Sequence, residues 1–353
     1  MEKGDESAPG KGMTYREAGV DIDKAGEVLA RARSAIRSTF TPGVGHEEGS
    51  FGGIFSLDRA GVGRGTLVAS TDGVGTKVLL AKRMGIHDTV GQDLVNHCID
   101  DILVLGARPL FFLDYLATGR IEPPLLTGLI AGLVRACREN GLALLGGETA
   151  EMPGIYREGD FDLAGTIVGI VPPEGLVTGK EIAPGDRLLA LPSTGLHTNG
   201  YSLARKILFE KADLGPDHHP QGWKQSVGEA LLAVHRSYLE PVGPLLEAFP
   251  IKGMAHITGG GLPDNLPRIL PAGCRARIET GTVPVPPICE FLVRLGRVSR
   301  KESYRVFNMG FGFLLVVAPD QLEPVADHLQ ERGEEVYPCG EIIAGERGVE
   351  LLP

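Results

Sequence analysis

The chain has 353 residues, enough for two ordinary domains with separate cores. Its 45 acidic residues against 35 basic ones give a net charge of −10. That balance argues against a nucleic-acid or anionic-membrane partner, so any phosphate site must be a local patch.

Five cysteines, Cys98, Cys137, Cys274, Cys289 and Cys339, lie far apart without a CxxC pair. Reduced core thiols are expected, not a disulfide framework or a thiolate zinc site. No apolar run approaches the roughly 18 residues that span a bilayer. The first residues lack the apolar segment of a signal peptide, so a cytoplasmic protein is expected. Residues 1–12 are polar and Gly-rich and read as a disordered extension.

A helix is expected over 20–37, broken by Thr41-Pro42-Gly43. A glycine-rich loop follows over 43–53. It matches neither GxGxxG nor GxxxxGK[ST], so neither dinucleotide-binding nor P-loop chemistry is indicated. Strands over 65–70, 110–116, 142–145 and 163–171 alternate with helices over 92–105 and 125–140. This is the pattern of a layered α/β or α+β domain. Val171-Pro172-Pro173-Glu174-Gly175 marks a boundary between units at 13–171 and 172–353. The second unit has strands near 187–191, 275–278 and 312–318. Its helices are expected near 202–211, 228–239 and 319–332.

Several segments carry chemistry. Ser70-Thr71-Asp72-Gly73-Val74-Gly75-Thr76-Lys77 ends a strand with a carboxylate, two glycines, a hydroxyl and an ammonium. Such residues can hold a divalent cation and a phosphate, and a structural DG turn is an equal reading of the segment taken alone. On the 92–105 helix, Leu94, Val95, Cys98, Ile99, Ile102 and Leu105 form the apolar side. Asp93, Asn96, His97 and Asp100 fall opposite, with Asp101 at the border. Asp93 reads as a surface acid. Asp100-Asp101 sits among apolar neighbours, where a metal could compensate a buried carboxylate. Gly146-Gly147-Glu148-Thr149-Ala150-Glu151-Met152-Pro153-Gly154 adds two more acids after a strand. Asp72, Asp101 and Glu148 are oxygen ligands of the type Mg²⁺ prefers together with substrate phosphates.

Pro192 to Ser202 contains Ser193, Thr194, His197 and Asn199 before a helix start, which favours anions. His197 reads either as a site residue or as a satisfied structural histidine. His256-Ile257-Thr258-Gly259-Gly260-Gly261-Leu262-Pro263 again suits backbone contacts with an anion. The glycines of Phe307-Asn308-Met309-Gly310-Phe311-Gly312 read as a strand bulge.

Together these segments resemble one family, the phosphoribosylformylglycinamidine cyclo-ligases, or aminoimidazole ribonucleotide (AIR) synthetases, of de novo purine synthesis. The matching stretches are 15–23, 70–77, 109–115, 146–154, 197–202, 258–261 and 307–312, in order. DGVGTK and GGETAEMPG are the most specific. The resemblance implies an N-terminal α/β domain that dimerises through its sheet and a C-terminal α/β domain. It implies ATP under the glycine-rich loop near the dimer interface, and conversion of formylglycinamidine ribonucleotide and ATP to AIR, ADP and phosphate.

On that reading Asp72, Asp101 and Glu148 hold Mg²⁺, with Asp72, Lys77 and His197 as the catalytic residues. Arg33, Gly43, Gly45, Gly52, Gly53, Gly73, Gly75, Thr76 and Lys77 meet ATP or its phosphates. Ser193, His197, Asn199, Thr258, Gly259, Gly260 and Gly261 hold the substrate. Two departures stand out. Arg33 occupies a position where the family commonly has Lys, and Asp100 stands where Asn is common, so Asp100 either alters metal affinity or points to solvent. The alternative is another ATP-using enzyme of the same superfamily, of the selenophosphate synthetase or thiamine-phosphate kinase type. Residues 41–56 lack the reactive Cys that the first would need.

Overall fold

The computed structural model describes residues 22–44 and 55–353. The N-terminal unit runs α1 (Ile22–Arg37), α2 (Leu57–Ala60), β1 (Thr66–Gly73), α3 (Lys77–Met84), α4 (Asp88–Leu103), β2 (Arg108–Thr118), α5 (Pro123–Glu139), β3 (Ala143–Glu151) and β4 (Phe161–Val171). Its sheet has the order β1-β4-β2-β3. β4 is antiparallel to both β1 and β2, and β3 is parallel to β2.

The strands alternate faces, as period-two geometry requires. Val68, Phe112, Leu144 and Ile167 are buried on the face that α4 and α5 cover. Leu67 and Tyr115 stand exposed on the other. The two covering helices meet at glycine. A Cβ on Gly132 would lie 2.0 Å from the Asp88 carbonyl oxygen, and one on Gly91 2.5 Å from that of Leu129.

The C-terminal unit contains β5 (Arg187–Pro192), α6 (Tyr201–Arg205), α7 (Val227–Leu231), α8 (Leu239–Ala248), β6 (Gly253–His256), α9 (Gly261–Asn265), β7 (Cys274–Glu279), α10 (Pro287–Gly296), α11 (Arg300–Val306), β8 (Phe311–Val317), α12 (Leu322–Glu331), β9 (Tyr337–Ala344) and β10 (Gly348–Leu352). Six strands form a second sheet in the order β10-β7-β9-β5-β8-β6. All seven residues of β8 are buried, which explains the unbroken apolar run Phe311 to Val317.

The mixed α/β class and the two-unit plan agree with expectation. Local details differ. GGETAE lies within β3 instead of following a strand. The helix expected over 228–239 stops at Leu231, and residues 233–238 have no regular secondary structure. β6, β9 and β10 are additional strands. All five cysteines are buried and unpaired. Among the described residues, no helix is long and apolar enough to cross a membrane.

Candidate active site

The polar side of α4 meets protein, not water. Asp93 and Asp100 are fully buried, and Asn96 and His97 nearly so. Their spacing places Asp93, Asn96 and Asp100 along one stripe, which grips the segment 233–238 through its backbone. Asp93 Oδ1 accepts from the His235 amide at 2.7 Å, Asn96 Nδ2 donates to the His235 carbonyl at 2.7 Å, and Asp100 Oδ1 accepts from the Tyr238 amide at 2.8 Å. This seam joins the two units. It corrects the reading of Asp93 as a surface acid and excludes the solvent-facing option for Asp100. Burial pushes the Asp100 carboxyl well above the usual carboxylate range.

Lys77 belongs to the same seam. Its ammonium pairs with Asp93 at 2.7 Å and donates to the carbonyls of Ala233 at 2.7 Å and His197 at 3.2 Å. Those three acceptors match its three donors, and the side chain is fully buried. Burial pushes Lys77 down and Asp93 up, and their mutual contact opposes both shifts. The expected phosphate contact is therefore corrected: Lys77 is an internal counter-ion.

At the solvent side of the seam lies a cluster of histidines and carboxylates. Asp72, near the end of β1, takes the Gly73 amide on Oδ1 at 2.6 Å and His97 Nε2 on Oδ2 at 2.7 Å. Asp101, one turn after His97 on α4, is 3.7 Å from the same nitrogen and accepts from Ser70 Oγ at 3.2 Å. His256, the last residue of β6, meets Asp101 Oδ1 through Nδ1 at 2.9 Å. His235 bridges His256 at 3.0 Å and Thr198 Oγ1 at 3.3 Å, and Thr198 meets His97 Nδ1 at 2.7 Å.

Burial disfavours charge at every member, and neighbours reverse its effect at His97, Asp72 and Asp101. At His97 burial is outweighed by Asp72 and Asp101, which raise its pKa. Burial is likewise outweighed at Asp72 by His97 and at Asp101 by His256, and both acids are lowered. For His235 and His197, burial and then the surrounding imidazoles lower the pKa well below the ordinary value.

His197 stacks on His235 with ring centroids 4.0 Å apart and accepts from the Thr194 amide through Nε2 at 3.2 Å. Its Nδ1 is buried without a hydrogen-bond partner. Its φ of 59° is left-handed, a costly conformation for a non-glycine residue and one that clusters at functional sites. Ser193 Oγ donates to Asn308 Oδ1 at 3.0 Å, and Asn308 Nδ2 donates to the Gly195 carbonyl at 2.8 Å. The Phe307–Gly312 segment thus braces the histidine loop. Asn199 Oδ1 would be 3.2 Å from a Cβ on Gly259, so these two expected substrate segments are neighbours. Asn265 Nδ2 donates to the carbonyls of Thr258, Gly259 and Gly261, fixing the turn through Gly260 and Gly261, both at positive φ.

The other expected ATP residues divide into two groups. Gly73, Gly75 and Thr76 lie beside Asp72. Gly75 turns the chain at φ 68°, with open space where a Cβ would project, and Thr76 Oγ1 is 3.1 Å from Ser202 Oγ. Arg33, exposed on α1, lies on a helix that packs on α5 and β3 at the far edge of the sheet. Gly43 packs on the Phe55 ring, which contacts Phe111 on β2. Gly45, Gly52 and Gly53 lie outside the described residues.

Glu148 does not join Asp72 within one chain. Asp72 shares a cross-strand row with Gly165, Asp114 and Gly147, whereas Glu148 shares the next row with Tyr115, Ala164 and Gly73. Glu148 is thus exposed on the opposite face, three strand spacings or on the order of 14 Å away. Among the described residues, the groups of three or more close metal-ligand candidates are His97/Asp101/His256 and His197/His235/His256. The expected convergence of Asp72, Asp101 and Glu148 is absent from the isolated chain.

Sequence reasoning gave no site role to His97, His235, His256 or Asp93, and offered Asp100 only as a modifier of metal affinity or a solvent-facing acid. The i, i+4 spacing of His97 and Asp101 was a usable signal. His235 had none, because it reaches the cluster only through the seam.

The family AIR synthase related protein, N-terminal domain, matches residues 57–171, and its C-terminal-domain counterpart matches residues 183–352. The chain is 48% identical over 332 residues to the phosphoribosylformylglycinamidine cyclo-ligase of Syntrophotalea carbinolica, covering 94% of this chain and 95% of that protein. It is 44% identical to the same enzyme of Alkaliphilus metalliredigens, covering 96% and 98%. The chain belongs to the phosphoribosylformylglycinamidine cyclo-ligase family. Solved structures with the same fold include a thiamine-monophosphate kinase from Stenotrophomonas maltophilia, at 17% identity, TM-score 0.66 and coverage of 92% of this chain and 95% of that one. Another is the hydrogenase maturation protein HypE in complex with ATP, at 20% identity, TM-score 0.64 and coverage of 91% and 90%. Those two likenesses concern fold alone. The cyclo-ligase relatives favour that activity over the kinase and selenophosphate alternatives.

Proposed function

We propose that the chain converts formylglycinamidine ribonucleotide and ATP to 5-aminoimidazole ribonucleotide, ADP and phosphate, as a cytoplasmic homodimeric ligase of purine synthesis. The observation that carries this reading is identity of 44–48% to named cyclo-ligases over nearly the whole chain. The formyl oxygen takes the γ-phosphoryl group of ATP, and ADP leaves. The ribose-bearing amidine nitrogen attacks the formyl carbon, the C–O bond breaks and phosphate departs as the ring closes. Proton loss from the ring nitrogen, and transfer of one methylene proton to the exocyclic imine nitrogen, complete the aminoimidazole.

Phosphoryl transfer of this kind needs positioning and charge neutralisation more than a protein nucleophile. Asp72 and Asp101 are partly exposed carboxylates that suit a hard cation, and Mg²⁺ held there would neutralise nucleotide phosphates. Gly73, Gly75 and Thr76 line the approach to them. Ser193, Asn199, Thr258 and Gly259 to Gly261 hold the substrate on the facing loops. His197, kept neutral by burial, orients the Thr194 amide instead of delivering a proton as an imidazolium.

Glu148, Arg33 and Gly43 enter the site from a second copy. They lie toward the β3 side of the sheet, while Asp72 lies on the β1 edge. The sheet face away from the helices carries exposed Leu67 and Tyr115, which suits burial against a partner. The test is incubation of purified protein with the substrate and MgATP, followed by assay for the aminoimidazole product. Product formation that falls at least ~100-fold in Asp72→Asn supports the reading. A folded, nucleotide-competent protein that makes no product overturns it.

A further inference from the structure

His97 and Asp101 project from adjacent turns of α4, and His256 reaches the same point from β6. One ligand atom of each falls within 4.8 Å of the others. His256 Nδ1 is 2.9 Å from one Asp101 oxygen and His97 Nε2 is 3.7 Å from the other. Neighbouring ligands around an octahedral ion bound at about 2.1 Å are roughly 3 Å apart, so these spacings bracket the edges of such a polyhedron. The second histidine trio, His197/His235/His256, fails the same test. His197 and His235 are stacked at an interplanar angle of 18°, so their in-plane lone pairs run side by side and do not converge.

We propose that His97, Asp101 and His256 form a two-imidazole, one-carboxylate site for a first-row transition cation such as Mn²⁺. This deepens the reading of Asp101 as a cation ligand and rests on it. Three oxygens would suit Mg²⁺. Two imidazoles with one carboxylate suit Mn²⁺, Fe²⁺, Co²⁺ or Zn²⁺ and leave positions open for phosphate oxygens.

Each ligand is held from behind, as metal-binding histidines and carboxylates commonly are. Thr198 Oγ1 fixes His97 Nδ1 at 2.7 Å, His235 fixes His256 Nε2 at 3.0 Å and Ser70 fixes Asp101 Oδ2 at 3.2 Å. Access is from the Asp101 side, where the carboxylate is 27% exposed while both imidazoles are buried. On binding, the ion takes the place of the ring proton that each imidazole shares with a carboxylate. Asp72, 2.7 Å from His97 Nε2, flanks the entrance.

The test is pulsed electron paramagnetic resonance of the full chain, stripped with chelator and loaded with Mn²⁺ alone. Modulation from directly bound ¹⁴N is expected, replaced by the ¹⁵N pattern when histidine is ¹⁵N-labelled and reduced in His256→Gln. Thr198→Val, which releases His97 without removing a ligand, is expected to weaken Mn²⁺ by about 10-fold or more. Bound Mn²⁺ without histidine-nitrogen coupling, or coupling that persists in the double variant His97→Gln with His256→Gln, overturns the proposal and leaves a carboxylate cation site standing. Failure to bind Mn²⁺ with or without ATP removes the cation reading as well.

Discussion

Lys77 sits in a motif rich in phosphate-binding residue types, but its neighbours make it a seam residue. Its ammonium has three protein acceptors at hydrogen-bond distance. Removing it strands Asp93, which has no exposure, and an uncompensated buried charge costs on the order of 3–5 kcal/mol. Lys77→Met is expected to lower the melting temperature sharply, and Lys77→Met with Asp93→Asn, which keeps an acceptor for the His235 amide, to recover part of the loss. Thermal unfolding of the single and double variants checks this, and additive losses would return Lys77 to the ligand site. Asp114 is a partly buried acid on β2. Burial raises its pKa to about 7, above its unfolded value, so the folded state holds the proton more tightly. Its contribution to stability is therefore lost as pH rises from about 4 to about 7. The shift of roughly three units sets an upper bound of about 4 kcal/mol at pH 8. Asp114→Asn is expected to stabilise at pH 8 and to be nearly neutral at pH 4. Equal effects at both values would exclude titration of Asp114.

At the scale of elements, α4 organises the site. One side packs on the first sheet, another grips residues 233–238, and Gly91 and Gly132 let it lie close against α5. Gly132→Ala would put a carbon 2.0 Å from the Asp88 carbonyl and force the helices apart. Overpacking of this kind costs typically ~1–3 kcal/mol. Chemical denaturation should show that loss, together with weaker nucleotide binding, because His97 and Asp101 ride on the displaced helix. Normal stability would mean that the crossing yields easily. The helix itself was legible from its apolar stripe. The role of its polar side was not, because a polar stripe has the same sequence pattern whether it faces water or the backbone of a distant segment.

For the whole molecule, the decisive feature is the division of the expected nucleotide residues between two sides of one sheet. If two copies complete each site, Asp72→Asn and Glu148→Gln dimers should each be inactive. After unfolding and refolding together, the mixture should regain about a quarter of wild-type turnover, since half the dimers are mixed and each has one intact site of two. No recovery, with mixed dimers demonstrated by mass, would place both acids in the same protomer's site. The family was readable from short strings such as DGVGTK and GGETAEMPG. The division was not, because residues near in the motif map need not share a sheet face.

Sequence by itself determined the mixed α/β class and the family, and it nominated Asp72, Asp101 and His197 as site candidates. Each of these depends on composition, local periodicity or contiguous motifs. Tertiary structure decided that Lys77 is a buried counter-ion, that Asp93 and Asp100 hold the seam, and that His97, His235 and His256 meet Asp101. It also placed Glu148 on the far face. These outcomes depend on which strand rows align and on which segment crosses a helix some 140 residues away, and no local pattern records either.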